Sequence, residues 1–188
     1  VTAVPGGLSD AELDVLPDAA DADLLRHAHA TADQRSAEIS PCGRYRYALT
    51  RRWSYGPTVG WVMLNPSTAD GTVDDPTLRR VTAFSRAWGY GGLVVANLYA
   101  FRATKPADLR KAADPIGPDN DEHLTSVAAG CDRIVAAWGA HARPGRIAAV
   151  LALPGMDRLT ALALTKNGQP RHPLYLRGDL VPQAWSPR

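Results

Sequence analysis

Three short apolar runs, each ending abruptly in a polar or turn-forming residue, set the layout of this chain. Val59 to Leu64, Leu93 to Ala96 and Ile134 to Trp138 lack polar alternation, the pattern of strands buried on both faces of a partly parallel sheet. Asn65-Pro66 closes the first run. Pro66 has no N–H and restricts Asn65 to extended geometry, so the Asn65 amide is held at the strand's carboxyl end, where open α/β sheets bind ligands. The second run also ends on an asparagine, Asn97, and the third on Gly139, which permits close backbone approach.

Helical signals fall between these runs. Asp75-Pro76 supplies an N-cap followed by proline in the first turn of a helix expected to reach Trp88 and stop at Gly89. Pro106 opens a short helix that Asp114-Pro115 ends, and Asp119 to Ala129 is another, capped by Asp119 or Asn120. Ile147 to Leu153 reads as helical and Leu159 to Leu164 as strand-like, with Asn167-Gly168 a tight turn. Arg44 to Trp53 alternates charged and apolar residues, which predicts a strand with one wet face, and Ser54 to Pro57 turns the chain.

Ahead of these elements, Ser9 to Glu12 is a capping-box pattern, Pro17 limits the helix it starts, and Asp21 to Arg35 is an Ala-rich helical stretch. Few large apolar residues occur there. The expected organisation is an acidic helical N-terminal extension over 1–40 and an α/β domain over 41–188. That domain should be a three-layer α/β/α sandwich with a mostly parallel central sheet.

Composition narrows the function classes. The 188 residues are enough for one sizeable core. No apolar run approaches a membrane span and no signal-peptide pattern opens the chain, so the expected location is cytoplasmic, away from membranes. Cys42 and Cys131 are too few for a cysteine-built metal site and are read as free thiols. The net charge of +2 is unevenly spread. Residues 1–40 hold eight acids against Arg26 and Arg35, a balance of −6; residues 44–111 hold eleven Lys or Arg against Asp70, Asp74, Asp75 and Asp108, a balance of +7. A basic middle section is compatible with phosphate binding but does not establish it.

Isolated histidines carry little. His27 and His29 fall on different sides of a helix, and His123 and His141 have no ligand pattern beside them. Ser67, His172 and Asp70 can be drawn as a hydrolytic triad, but no nucleophile-elbow sequence surrounds Ser67.

The blocks Leu64-Asn-Pro-Ser-Thr-Ala-Asp70, Val95 to Thr104, Ala137-Trp-Gly139 and Pro170 to Leu176 resemble those of a bacterial family of small proteins defined only as a domain of unknown function. In order and content they also resemble the motifs of the uracil-DNA glycosylase superfamily. Met63-Leu-Asn-Pro66 is similar to its first motif, with leucine where a small residue is usual. Leu93 to Asn97 is similar to its apolar strand ending in asparagine, Trp138-Gly139 to its late strand end, and His172-Pro173 to its last motif.

That resemblance implies hydrolysis of the N-glycosidic bond of a damaged or modified base in DNA. It implies a base held outside the stack, a water beside the sugar, and donors for the charge on the leaving base. Asn65 then orients the water, His172 donates to the developing base anion or approaches the sugar–phosphate, and Asp70, Asp74 or Asp75 can supply a carboxylate. Asn97 reads the base edge, with Pro66, Tyr99 and Phe101 beside it, and Trp88 as another stacking candidate. Ser67, Thr68, Arg79, Arg80, Arg102 and Arg171 are the implied DNA contacts, and Leu174 or Tyr175 would fill the gap left by the flipped base. The expected partner is DNA, no cofactor is implied, and the chain is expected to act as a monomer. Two departures stand out. The first motif carries Asn65 instead of the aspartate of the most active branch, and the last lacks the serines that contact phosphate. The competing readings are a module that binds a modified base or nucleotide without cleaving it, and an enzyme acting on free nucleosides or nucleotides.

Overall fold

A computed structural model of the chain describes residues 34–67, 73–103 and 106–187. Seven strands form one mixed sheet: β1 (Gln34–Ile39), β2 (Arg46–Arg52), β3 (Thr58–Met63), β4 (Gly92–Asn97), β5 (Arg133–Ala136), β6 (Leu159–Ala161) and β7 (Gln183–Ala184). Their order across the sheet is β1-β2-β4-β3-β5-β6-β7. The helices are α1 (Pro76–Ala87), α2 (Pro106–Lys111), α3 (Asn120–Gly130) and α4 (Pro144–Leu151). None of the helices among the described residues is long and apolar enough to cross a membrane.

Only the centre of the sheet is parallel. β3 pairs in parallel with β4 and with β5, and β5 with β6, whereas β1–β2, β2–β4 and β6–β7 are antiparallel. The expected mostly parallel sheet is therefore corrected to a mixed one. β1 and β2 are joined by a turn closed by Gly43 N–H donating to Ser40 O at 2.8 Å, too short for a crossover, so the pair must be antiparallel.

Residues along each central strand alternate between two cores. Val62, Ala96, Ile134 and Ala136 face Leu124, Val127, Ile147 and Val150 of α3 and α4. Val59, Trp61, Met63, Leu93, Val95 and Val135 face Leu78, Val81 and Phe84 of α1. Gly60 lets α3 sit close, since a Cβ there would lie 3.1 Å from Val127 Cγ1 and 3.3 Å from Cys131 Sγ. On the α1 side Trp61 is fully buried and its indole N–H donates to Ser85 Oγ at 3.1 Å, while Ser85 donates to Val81 O at 2.7 Å. Removing such a ring costs about 3–5 kcal/mol.

α1 forms as its sequence predicts. Asp75 caps it, Oδ1 accepting from Leu78 N–H at 2.7 Å, with Pro76 in the first turn and Gly89 at φ 82° beyond its end. Two expectations need correction. Residues 1–33 of the expected extension lie outside the described residues, but Gln34–Ile39 is an edge strand of the sheet, not the end of a helix or a detached segment. The expected wet face of the Arg44–Trp53 strand is also absent, because the side chains on both faces of β2 are buried or half-buried.

Candidate functional site

The carboxyl ends of the parallel strands open into a pocket of about 440 Å³, a volume typical of small-molecule sites. The chain runs from β3 to β4 on one side and then crosses to β5 on the other, which makes this the switch point where such sheets bind ligands. Backbone bonds continue past the strands and fix the loops there. Leu98 N–H donates to Met63 O at 2.8 Å, Tyr99 N–H to Leu64 O at 3.0 Å, and Ala103 N–H to Pro66 O at 3.1 Å.

Asn65 is held by its own amide. Its Nδ2 donates to Ala103 O at 2.7 Å and Pro66 O at 3.0 Å. Both amide protons are thus engaged, and no described group donates to Oδ1, which is left as an acceptor on the pocket wall. Asn97, at the end of β4, is 1% exposed and lines the same pocket, and its Nδ2 has no hydrogen-bond partner. A buried donor in that state is unusual and marks a place where a ligand acceptor fits.

His172 caps a 3₁₀ turn over Pro173–Tyr175, its Nδ1 accepting from Leu174 N–H at 3.4 Å. In the neutral ring that contact leaves the proton on Nε2, a donor available to the pocket that the residue lines. The residue is exposed overall, yet neighbouring protein removes part of the ring's hydration. This desolvation lowers its pKa below the ordinary 6.5, the Asp75 carboxylate partly opposing the shift. Asp75 lines the pocket too, but both its oxygens are engaged, Oδ1 by the α1 cap and Oδ2 by the Ser67 hydroxyl.

Residues 46–174, well over half of the chain, match the family described as "Protein of unknown function (DUF1643)". The chain belongs to the DUF1643 family. No curated protein and no solved structure matches it. The matched DUF1643 segment begins at Arg46 and ends at Leu174, so it holds every pocket residue except Tyr175.

Within this DUF1643 domain the residues expected from sequence divide into two groups. Asn65, Asn97, Ser67, Arg171, His172 and Tyr175 all line the pocket. Pro66, Tyr99, Phe101, Arg79, Arg80, Arg102 and Leu174 do not. Pro66 is buried, with its carbonyl accepting from Ala103 N–H. Tyr99 packs in the core on the α3 and α4 side, where its hydroxyl accepts from Arg143 N–H at 3.3 Å, and Phe101 packs edge-on against Tyr45 at 6.1 Å. Neither ring reaches the pocket to stack on a base. Trp88 stacks on Trp61 at 5.5 Å.

The cations are occupied as well. Arg79 donates to Asp74 O at 2.6 Å, Arg102 to Gly43 O at 3.2 Å, and Arg80 lies over Phe84 at 4.6 Å while donating to Leu176 O. Thr68 and Asp70 lie outside the described residues. Among the described residues no group of three or more His, Cys, Asp or Glu is placed to hold a metal ion.

Sequence reasoning missed Arg46, Thr165 and His141, all of which line the pocket. Arg46 was hidden in the charged–apolar alternation of its strand, and nothing in the sequence marks Thr165. The basic excess of 44–111 also overstates the surface charge, because Arg46 and Arg51 are only 4% and 2% exposed. Arg51 donates from Nε and Nη2 to Asp74 Oδ1 at 3.0 and 2.8 Å.

Proposed function

We propose that this DUF1643 chain is a DNA glycosylase-like protein that hydrolyses the N-glycosidic bond of a damaged or modified nucleobase in DNA. The observation that carries this reading is the fixed Asn65 amide, whose open Oδ1 shares one pocket with the buried Asn97 amide and the Nε2 side of His172. Helices on both faces of a parallel core support the finer fold reading, a three-layer sandwich of the uracil-DNA glycosylase kind.

The proposed chemistry uses each group once. Asn65 Oδ1 accepts a hydrogen bond from a water and turns the water's lone pair toward the sugar's anomeric carbon. As the carbon–nitrogen bond breaks, its electron pair moves onto the base, where the His172 Nε2–H stabilises the charge. The water oxygen then bonds to the sugar carbon and its proton leaves to solvent. A neutral imidazole suits this role, and desolvation keeps His172 neutral at physiological pH. Asn97 reads the base edge. Arg171 and Tyr175, the latter 88% exposed, both line the pocket and would meet the DNA strand.

A second reading is favoured by Asp75. Its carboxylate is committed to the helix cap and Ser67, so it does not serve as a strong base for water. A module that binds a modified base without cleaving it uses the same pocket.

The test is incubation with oligonucleotides bearing uracil, hypoxanthine, hydroxymethyluracil or glucosylated bases, followed by detection of alkali-labile abasic sites. Abasic sites on one member support the glycosylase. Salt-sensitive binding without cleavage supports the module. Intact DNA with no salt-sensitive binding overturns both and points to free nucleosides.

A further inference from the structure

We infer that Arg80 of α1 is the positioning residue of His172: it fastens the chain just beyond the 3₁₀ turn to the helix, and so keeps the imidazole in the pocket. This deepens the reading proposed above, in which His172 faces the leaving base, and rests on that reading for its catalytic consequence.

His172 stands in a loop, so its place depends on what holds the chain on either side of it. On the near side the backbone does so. Gly139 N–H donates to Pro170 O and Arg171 N–H to Ala163 O, both at 2.8 Å, which ties the chain to the ends of the sheet. Beyond His172 the chain runs as a turn and a loop until β7 at Gln183. There the fastening comes from side chains of the α1 segment. The Arg80 guanidinium donates to Leu176 O, and Trp88 Nε1 donates to Leu180 O at 3.0 Å. Arg80, Phe84 and Trp88 are spaced by four and share one stripe of the helix.

Arginine suits this place. Its flat guanidinium lies over the Phe84 ring at 4.6 Å, which fixes the direction in which it donates, and Gly178 passes beside its terminal nitrogens. From Leu176 the path to the imidazole is short. Leu176 N–H donates to Pro173 O at 3.1 Å, and Leu174 N–H to His172 Nδ1 at 3.4 Å. The same helix holds the opposite wall of the pocket, because its cap Asp75 accepts from the hydroxyl of Ser67, two residues after Asn65. α1 therefore sets the spacing between Asn65 and His172, the groups that act on the two ends of one breaking bond. A small misplacement of either is costly to such a reaction.

The experiment compares the full chain with its Arg80→Met and Arg80→Lys variants. NMR titration follows the His172 ring, identified by its absence from the spectrum of His172→Gln, and cleavage kinetics are measured on oligonucleotides bearing uracil or hypoxanthine. In Arg80→Met the ring is expected to titrate closer to 6.5 than in the parent, since a loosened turn returns water to it. kcat should fall about tenfold or more, with KM unchanged within about twofold. Arg80→Lys keeps a donor without the flat stack, shows both changes at smaller size, and decides alone if the methionine variant does not fold. A His172 titration identical to the parent's in a folded variant overturns the inference, whatever stability is lost. A shifted titration with DNA left intact by the parent leaves Arg80 as the fastening of His172 and removes the hydrolysis. Cleavage by the parent, with titration and kcat both unchanged in the variants, does the reverse.

Discussion

The two faces of the sheet use the same residue types to opposite ends. On the α3 and α4 side, Asn120 Nδ2 donates to Asn97 O and Leu98 O, both at 3.1 Å, while Arg146 donates from Nε to Leu98 O at 2.6 Å and pairs with Asp121. The asparagine and arginine there lock the backbone at the end of β4 to two helices. On the α1 side, Asn97 faces a cavity instead, its Nδ2 without a partner. A buried amide or guanidinium beside a strand end thus says nothing by itself about function. What decides is whether its hydrogen-bonding groups are spent on the fold or left to face a space.

The contrast can be broken from either side. Asn65→Ala and His172→Ala should each lower base release about 100-fold or more; the His172 variant should keep a thermal midpoint close to that of the parent, the Asn65 variant should also lose about 1 kcal/mol with its bonds to Ala103 O and Pro66 O, and a large loss of stability in the His172 variant would make that residue part of the fold. Arg146→Met should behave the other way, costing about 2–3 kcal/mol by removing one of the two donors to Leu98 O and leaving Asp121 without its partner. Urea unfolding measures that loss, and an unchanged midpoint would remove the distinction between the faces.

Gly117→Ala probes the seam between them. Gly117 has φ +89°, and a Cβ there would lie 2.8 Å from the Tyr45 ring, which stacks on Tyr47. The expected loss is about 1–3 kcal/mol, read in the same unfolding assay.

The smallest effect is that of pH. Because the folded pKa of His172 lies below 6.5, the unfolded chain takes up that proton first as pH falls. His172 therefore withdraws stability as pH drops through 6.5 toward its folded value and has no effect at pH 8. Comparing the parent with His172→Gln at both pH values isolates this contribution, and an identical pH dependence of the two proteins would refute it.

How legible all this is in the sequence follows from what each element depends on. β3, β4 and β5 are buried on both faces, so their apolar runs are visible without any knowledge of neighbours, and α1 announces itself through Asp75-Pro76. Asn65, Asn97 and His172 are legible because they end strands or precede a proline. β1 is not, since Gln34–Ile39 is a mostly exposed edge whose residues form no apolar stripe. Arg46 is hidden for a different reason. Strict alternation places it with Arg44 on a solvated face, and only the pairing partner, 188-residue context included, reveals Tyr47 as the extra residue that turns it inward. Tyr99 and Phe101 follow a strand-end asparagine and so look like pocket residues, yet the chain has already turned toward the other core by then.

The pinned amide of Asn65 also limits which descendants this sequence can have. An aspartate at that position is the obvious route to a stronger base for activating water. Here it would bring a carboxylate oxygen against the carbonyl oxygens of Pro66 and Ala103, which now receive hydrogens from an amide nitrogen 3.0 and 2.7 Å away. The acid would be tolerated there only in its protonated form, with one hydrogen for two acceptors, and would be no base at all. A substitution that looks like a short evolutionary step is therefore a blocked one. A lineage gaining faster hydrolysis on this scaffold would have to move the Ala103 loop first, or recruit its carboxylate from another position.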